Sequence, residues 1–93
     1  MEGSRKDVER WLFQHGEENT SVTTITFFAI QGLLDDCITQ KTNKRGSAWK
    51  YDVEKAGRRI LWIRQKQRMN RLRINEIREL IRQDPAKSFR NDI

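Results

Sequence analysis

The residues of this chain best suited to chemistry are its lysines and arginines, most of which lie close together. Twelve of the nineteen basic residues fall between Lys41 and Arg73, a stretch that holds only two acidic residues, Asp52 and Glu54. Twelve positive and two negative groups give this third of the chain a formal charge of +10, against +6 for all 93 residues. A concentrated cationic block most readily attracts a polyanion such as nucleic acid.

The basic block overlaps an apolar pattern that predicts a long helix over residues 52–82. Apolar residues recur at alternating intervals of three and four, the spacing of a helix that packs lengthwise against another helix. This apolar stripe comprises Val53, Ala56, Ile60, Ile63, Ile74, Ile77 and Ile81. Gln67 and Asn70 interrupt it, which leaves open a break into two helices. Pro85 ends the pattern, because its ring cannot continue a helix.

On this helix, at 100° per residue, many of the basic residues lie opposite or beside the stripe. One side would pack while the other meets a phosphate backbone. Nine residues are predicted to contact nucleic acid: Lys41, Lys44, Arg45, Lys50, Lys55, Arg58, Arg59, Lys66 and Arg73. The alternative is an ordinary solvated face, but such a face normally mixes charges of both signs. No acidic residue occurs between Lys55 and Asn75, so binding is the favoured interpretation.

The aromatic residues among these cations have two possible roles. Trp49 and Trp62 could stack on unpaired bases. More often such residues close the edge of a small core, which we favour for Trp62, whereas Trp49 is undecided.

No combination of side chains predicts catalysis. Asp35 and Asp36 are adjacent, and neighbouring residues on a helix point about 100° apart. Single Cys37 and His15 residues do not make a usual structural zinc site. We therefore expect a protein that is not an enzyme and that needs no cofactor or metal.

The rest of the chain completes an expected all-α fold. Helices are predicted near residues 4–15, 21–40 and 52–82, within a single domain of residues 1–84 followed by a flexible tail, residues 85–93. A strand competes with the helix over residues 21–28, where β-branched residues are frequent. A chain of this size can bury only a small hydrophobic core of its own, so homodimerisation of the helical bundle is expected.

Cellular location is predicted from two features. The first residues lack the basic-then-apolar layout of a signal peptide, and the single cysteine fits a reducing compartment. We expect an intracellular protein, cytoplasmic or nuclear, without a membrane partner.

The order of a short helix, an apolar helix, a basic connection and a long basic helix resembles a known family. It is similar to the small all-helical double-stranded-RNA-binding domains of viral host-defence antagonists, such as the influenza-type non-structural protein. The pieces that carry the resemblance are Gln40-Lys41, Arg45-Gly46-Ser47 and Glu54-Lys55-Ala56-Gly57. They lie within residues 24–63, need gaps, and exclude the Arg-rich residues 64–82. The resemblance implies a symmetric dimer in which Lys41, Lys44 and Arg45 contact RNA.

Three functions follow as hypotheses. The first is shape recognition of duplex RNA by a homodimer, which by the resemblance would antagonise host RNA sensing or silencing. The second is a DNA-binding regulator of helix-turn-helix type that places the Lys50–Arg73 region in a major groove. The third is a protein-interaction module whose stripe docks onto a helical partner.

Overall fold

A computed structural model of the chain describes residues 1–43 and 48–93. Those residues form four α-helices and a three-stranded antiparallel sheet. The elements are β1 (Glu2–Gly3), α1 (Arg5–Gln14), α2 (Val22–Ile30), β2 (Ile38–Gln40), β3 (Lys50–Asp52), α3 (Val53–Met69) and α4 (Ile74–Gln83). The prediction of a mostly helical protein is confirmed, but the prediction of helices alone is wrong.

Helix α1 begins and ends close to the predicted positions because its signals are local. The Ser4 N–H donates to Asp7 Oδ2 over 2.9 Å, as in a capping box. This hydrogen bond is the main reason that the pKa of Asp7 lies below its ordinary value. Gly16 follows the helix with φ +89°, a conformation that a residue without Cβ adopts at little cost.

Helix α2 is shorter than the helix predicted over residues 21–40. It ends at Ile30, and Gly32 then adopts φ +81°. A 3₁₀ turn and strand β2 follow, so pairing with β3 replaces further helix. The strand alternative for residues 21–28 is also wrong, since the Ser21 Oγ caps α2 by accepting a hydrogen bond from the Thr24 N–H over 3.4 Å.

The small sheet joins the start of the chain to its middle. Strand β3 lies in the centre, antiparallel to β1 on one side and β2 on the other. Its central residue, Tyr51, pairs with Gly3 and Ile38, and the Tyr51 side chain is fully buried. Helix α3 starts directly after β3, so the sheet sets the direction in which α3 leaves.

The long helix predicted over residues 52–82 is two helices. Asn70 caps the end of α3, and Arg71 has φ +53°, an uncommon conformation for a residue other than glycine. The Leu72 N–H donates back to the Lys66 carbonyl over 3.2 Å. The break thus falls at one of the two polar positions that interrupt the apolar stripe.

The apolar stripe forms the centre of the core. Val53, Ala56, Ile60, Ile63, Ile77 and Ile81 are buried, and Ile74 is half-buried. They pack with residues from α1, α2 and the segment after α2: Val8, Trp11, Leu12, Ile25, Phe28, Ala29, Leu33, Leu34 and Cys37. The apolar stripe therefore packs inside the core of a single chain.

The C-terminal segment, residues 85–93, packs against α3, although it was predicted to be a flexible tail. Ser88 is buried, and Phe89 packs against the core. The Arg90 N–H donates to the Arg58 carbonyl over 3.1 Å. This segment therefore covers one edge of α3.

Close packing between α1 and α3 depends on Gly57. A Cβ added there would overlap the six-membered ring of Trp11. In an exposed helix, alanine in place of glycine would stabilise by about 1 kcal/mol. Here we expect Gly57→Ala to lower the free energy of unfolding by roughly 1–3 kcal/mol, because overpacking outweighs that gain.

Urea unfolding of Gly57→Ala tests this packing. Gln65→Ala, on the solvent side of the same helix, is the control and should change stability little. A Gly57→Ala protein that is more stable than the parent would contradict the close contact.

Candidate nucleic-acid interface

The nine cations predicted to contact nucleic acid lie in different environments. Lys44 and Arg45 fall outside the described residues. Lys41, Lys50 and Arg73 are exposed, Lys55, Arg58 and Lys66 are half-buried, and Arg59 is fully buried. The structure therefore divides the predicted set rather than placing it on one surface.

Arg59 is a structural residue, and the prediction that it lies on an exposed basic face is wrong. Its side chain has no exposed surface. Its five N–H groups donate to the Ser88, Leu33 and Pro85 carbonyls and to both oxygens of Asp36, over 2.7–3.2 Å. The guanidinium also lies 4.2 Å from the centre of the Phe89 ring.

The course of the C-terminal segment explains this burial. On the α3 helix, Arg59 lies at the edge of the buried side, where the helix periodicity alone leaves its exposure undecided. Residues 85–89 pass over that edge and supply two of the carbonyl acceptors. Arg59 therefore has no donor left for a phosphate.

We expect Arg59→Lys to destabilise the fold, because a lysine cannot reproduce five hydrogen bonds in a planar fork. The unpaired carbonyls and Asp36 should lower the free energy of unfolding by about 3 kcal/mol. Urea unfolding measures the loss, with Lys66→Arg on the solvent side of α3 as a control. An Arg59→Lys protein as stable as the parent would contradict the structural role.

Arg58 is partly committed to contacts within the chain. Its guanidinium lies 2.9 Å from Glu54 Oε1 and donates to the Arg90 and Ile93 carbonyls over 3.0 and 3.2 Å. These bonds hold the C-terminal segment against α3. Arg58 therefore lies at the surface, but its guanidinium is held by contacts within the chain.

Two further arginines of α3, Arg64 and Arg68, bind the connection between α1 and α2, a role that no local sequence pattern predicts. Arg64 donates to Thr20 Oγ1 and to the Asn19 carbonyl over 3.0 and 3.3 Å. Burial lowers the pKa of Arg64, with the nearby charge of Glu17 acting in the opposite direction. Arg68 donates to both oxygens of the buried Glu17. Glu17 precedes Arg68 by 51 residues, and Thr20 precedes Arg64 by 44. No local sequence pattern therefore predicts these contacts.

The solvent side of α3 carries a row of side chains that we call the α3 strip: Lys55, Arg58, Trp62, Lys66 and Met69. Trp62 is half-buried, and the Lys66 Nζ lies 5.6 Å from the centre of its ring. Met69 is 74% exposed. Trp62 packs against the edge of the core, which agrees with the role favoured for it.

The turn after α3 extends this positive surface. Arg71 and Arg73 are exposed. Within residues 1–43 and 48–93, six cations have no carboxylate within ion-pair distance and no side-chain hydrogen bond to the chain: Lys6, Lys50, Lys55, Lys66, Arg71 and Arg73. Four of these six lie on the α3 strip or the turn that follows it.

The hairpin formed by β2 and β3 carries a second group of cations. Lys41 lies 3.7 Å from Asp35 and 5.0 Å from the centre of the Trp49 ring. The Trp49 Nε1–H donates to the Thr42 carbonyl over 3.1 Å, which holds Trp49 at the base of the connection. Lys50 is exposed at the start of β3.

Other side chains that could take part in chemistry are used in packing. Cys37 is buried, and burial raises the pKa of its thiol to about 12, so the thiol stays protonated at neutral pH. The His15 ring stacks on Trp11 at 3.8 Å between ring centres. Among the described residues, no group of three or more His, Cys, Asp or Glu side chains is arranged to hold a metal ion.

A cavity of about 570 Å³ lies between α1 and the start of α2. It is lined by Lys6, Glu9, Arg10, Phe13 and residues 17–21. None of the helices in the described part of the chain is both long and apolar enough to span a membrane.

No protein-family model, curated protein or solved structure matches this chain.

Proposed function

We propose that this protein is a non-enzymatic nucleic-acid-binding protein that holds a duplex mainly through its phosphates. The observation that carries the proposal is the set of free cations on the α3 strip and the following turn: Lys55, Lys66, Arg71 and Arg73. Phosphate contacts of this kind depend on charge and position rather than on base sequence.

The spacing of these cations suits a duplex. Lys55 and Lys66 are eleven residues apart on one helix, a separation of about 16 Å at 1.5 Å per residue. Duplex DNA carries one negative charge per about 1.7 Å of its axis, so several phosphates lie within this length. Trp62 and Met69, on the same α3 strip, would supply apolar surface for a sugar edge.

An ordinary solvated face is the competing explanation for these cations. It is disfavoured because other cations of α3 are paired with a carboxylate, as in Arg58–Glu54, Arg59–Asp36 and Arg68–Glu17. The α3 strip beyond Glu54 contains no such carboxylate. A surface that carries one sign of charge destabilises the compact state through self-repulsion, but it attracts a polyanion ligand.

Docking of the apolar stripe onto a helical partner is not proposed, because the stripe is buried in the core of one chain. Homodimerisation stays a prediction, and it would need a surface other than the stripe.

The resemblance to viral domains implies that the duplex is RNA, and the helix-turn-helix alternative implies DNA. The all-helical architecture that accompanies the RNA interpretation differs from this fold, which contains a sheet. A role against host RNA sensing or silencing depends on the RNA interpretation. Both duplexes therefore belong in the binding test.

The test is the salt dependence of binding to RNA and DNA duplexes of about 20 base pairs, measured by fluorescence anisotropy. We expect binding at about 100 mM salt, with log K falling linearly as log salt rises. The double variant Lys66→Gln/Arg73→Gln removes two phosphate contacts. It should reduce the slope by about 2 and weaken affinity at least tenfold.

Lys87→Gln is the control, because Lys87 is exposed and its Nζ lies 3.9 Å from Asp84 Oδ2, so it already has a carboxylate partner. It should leave the slope within about 0.5 of the parent. Absence of binding to either duplex, or an unchanged slope in the double variant, would contradict the proposal.

A further inference from the structure

Residues 90–93, which we call the strap, lie across the start of the α3 strip. The Arg58 Nη1–H donates to the Arg90 carbonyl over 3.0 Å, and the Arg58 Nη2–H donates to the Ile93 carbonyl over 3.2 Å. The Arg90 N–H in turn donates to the Arg58 carbonyl over 3.1 Å. The strap therefore covers part of the surface that is proposed to bind a duplex.

The strap and Glu54 together occupy Arg58. Residues three and four apart on a helix lie on the same side, so Arg58 stands between Lys55 and Trp62 in the α3 strip. Two of its N–H groups donate to Glu54 Oε1 and two to the strap carbonyls. A guanidinium has five N–H donors, which leaves at most one for a phosphate. The side chain is accordingly only 21% exposed.

The strap presents oxygen atoms to Arg58 as a phosphate backbone would. Besides the two carbonyls, it carries Asp92, whose carboxylate lies 2.9 Å from the Arg90 guanidinium. The hydrogen bond from Arg90 is the largest cause of the lowered pKa of Asp92, and the charge of Arg58 contributes to it. A duplex and the strap therefore require the same cation.

The strap is held less firmly than the residues that precede it. Residues 85–89 are anchored, because Arg59 donates to two of their carbonyls and Ser88 is buried. In the strap, Arg90 is half-buried and residues 91–93 are exposed. A cavity of about 240 Å³ lies between the first turns of α3 and the segment around Asn91. Exposed hydrogen bonds with few apolar contacts are typical of a segment that opens at a low cost in free energy.

We infer that the strap is an autoinhibitory contact, which a duplex displaces so that Arg58 joins Lys55 and Lys66 on the phosphates. This inference rests on the proposed function and specifies how the same site is regulated. A phosphate can accept two parallel bonds from one guanidinium, and bonds between two ionised groups are stronger than bonds to neutral carbonyls. The duplex therefore gains more from Arg58 than the strap does.

The strap sets the affinity without preventing binding. Only molecules with an open strap offer Arg58 to the duplex, so the apparent affinity of this site falls with the fraction of open molecules. The competing explanation is that the strap completes the fold and stays in place. It is disfavoured because residues 85–89 already cover Arg59, and the strap buries no side chain completely.

The first measurement is amide hydrogen exchange by NMR in the parent protein, with and without a saturating RNA or DNA duplex. The Arg90 N–H reports on the strap, since it donates to the Arg58 carbonyl. The Ser88 N–H, which donates to the Pro85 carbonyl over 3.1 Å, is the internal control. We expect the duplex to speed exchange at Arg90 by about fivefold and to leave exchange at Ser88 unchanged.

The second measurement uses Arg90→Gln/Asp92→Asn, which loosens the strap without changing the net charge. The pair of hydrogen bonds that it removes, over 2.9 and 3.0 Å, fixes the turn of residues 90–92. Glu79→Gln/Arg82→Gln removes an exposed ion pair of α4 and is the matched control. Circular dichroism verifies that each variant keeps its helix content.

We expect the strap variant to bind the duplex about threefold more tightly than the parent, because more molecules are open before binding. The salt slope should stay the same, since both proteins form the same complex. Arg58→Gln should reduce the slope by about 0.9, the value of one phosphate contact. In the Arg58→Gln background the strap substitutions should no longer change the affinity. The control should bind as the parent does.

Three outcomes would overturn the inference while leaving duplex binding through Lys66 and Arg73 intact. They are unchanged exchange at Arg90 in the complex, a strap variant that binds no more tightly than the parent, and an unchanged slope in Arg58→Gln. Absence of binding to either duplex would instead overturn the proposed function as well.

Discussion

The fold depends on one buried cation, the guanidinium of Arg59. Removing a charge from water is costly unless its hydrogen bonds are replaced, and here all five N–H donors find an oxygen. The acceptors come from the segment after α2 and from the C-terminal segment, which are far apart in the sequence. Arg59 on α3 thereby joins both segments to the central helix, and the Phe89 ring covers it. A chain of 93 residues buries less apolar surface than a larger domain does. Here a polar contact holds together segments that apolar packing would join in a larger domain.

Three other arginines also join separate parts of the fold. Arg64 and Arg68 fasten the α1–α2 connection, and Arg78 donates to the Gln31 carbonyl over 2.7 Å. A planar guanidinium with five donors suits such multiple contacts, whereas a lysine ammonium is compact and strongly hydrated. Lys50, Lys55 and Lys66 accordingly stay at the surface without carboxylate partners. The excess of positive charge thus has a structural part and a part that is free to meet phosphates.

The features that were predictable from the sequence are those with local causes. The cap of α1, the burial of the apolar stripe and the solvent side of α3 follow from spacing within single helices. The end of α2 and the sheet were missed, because strands of two or three residues are too short to show an alternating pattern. The burial of Arg59 was missed for a related reason: its partners are 23–29 residues away, and only the path of the C-terminal segment decides its exposure.

The division between structural arginines and arginines free to bind phosphates is tested most directly by NMR. The measurement follows the arginine Nε–Hε signals while a nucleic-acid duplex is added. Arg59 should show a slowly exchanging signal that does not move during the titration, because its Nε–H is bonded to the buried Ser88 carbonyl. Arg73 on the turn is exposed, so its signal should exchange faster without the duplex and shift as the duplex binds. An Arg59 signal that exchanges rapidly, or that shifts together with that of Arg73, would contradict the separation of structural from binding cations.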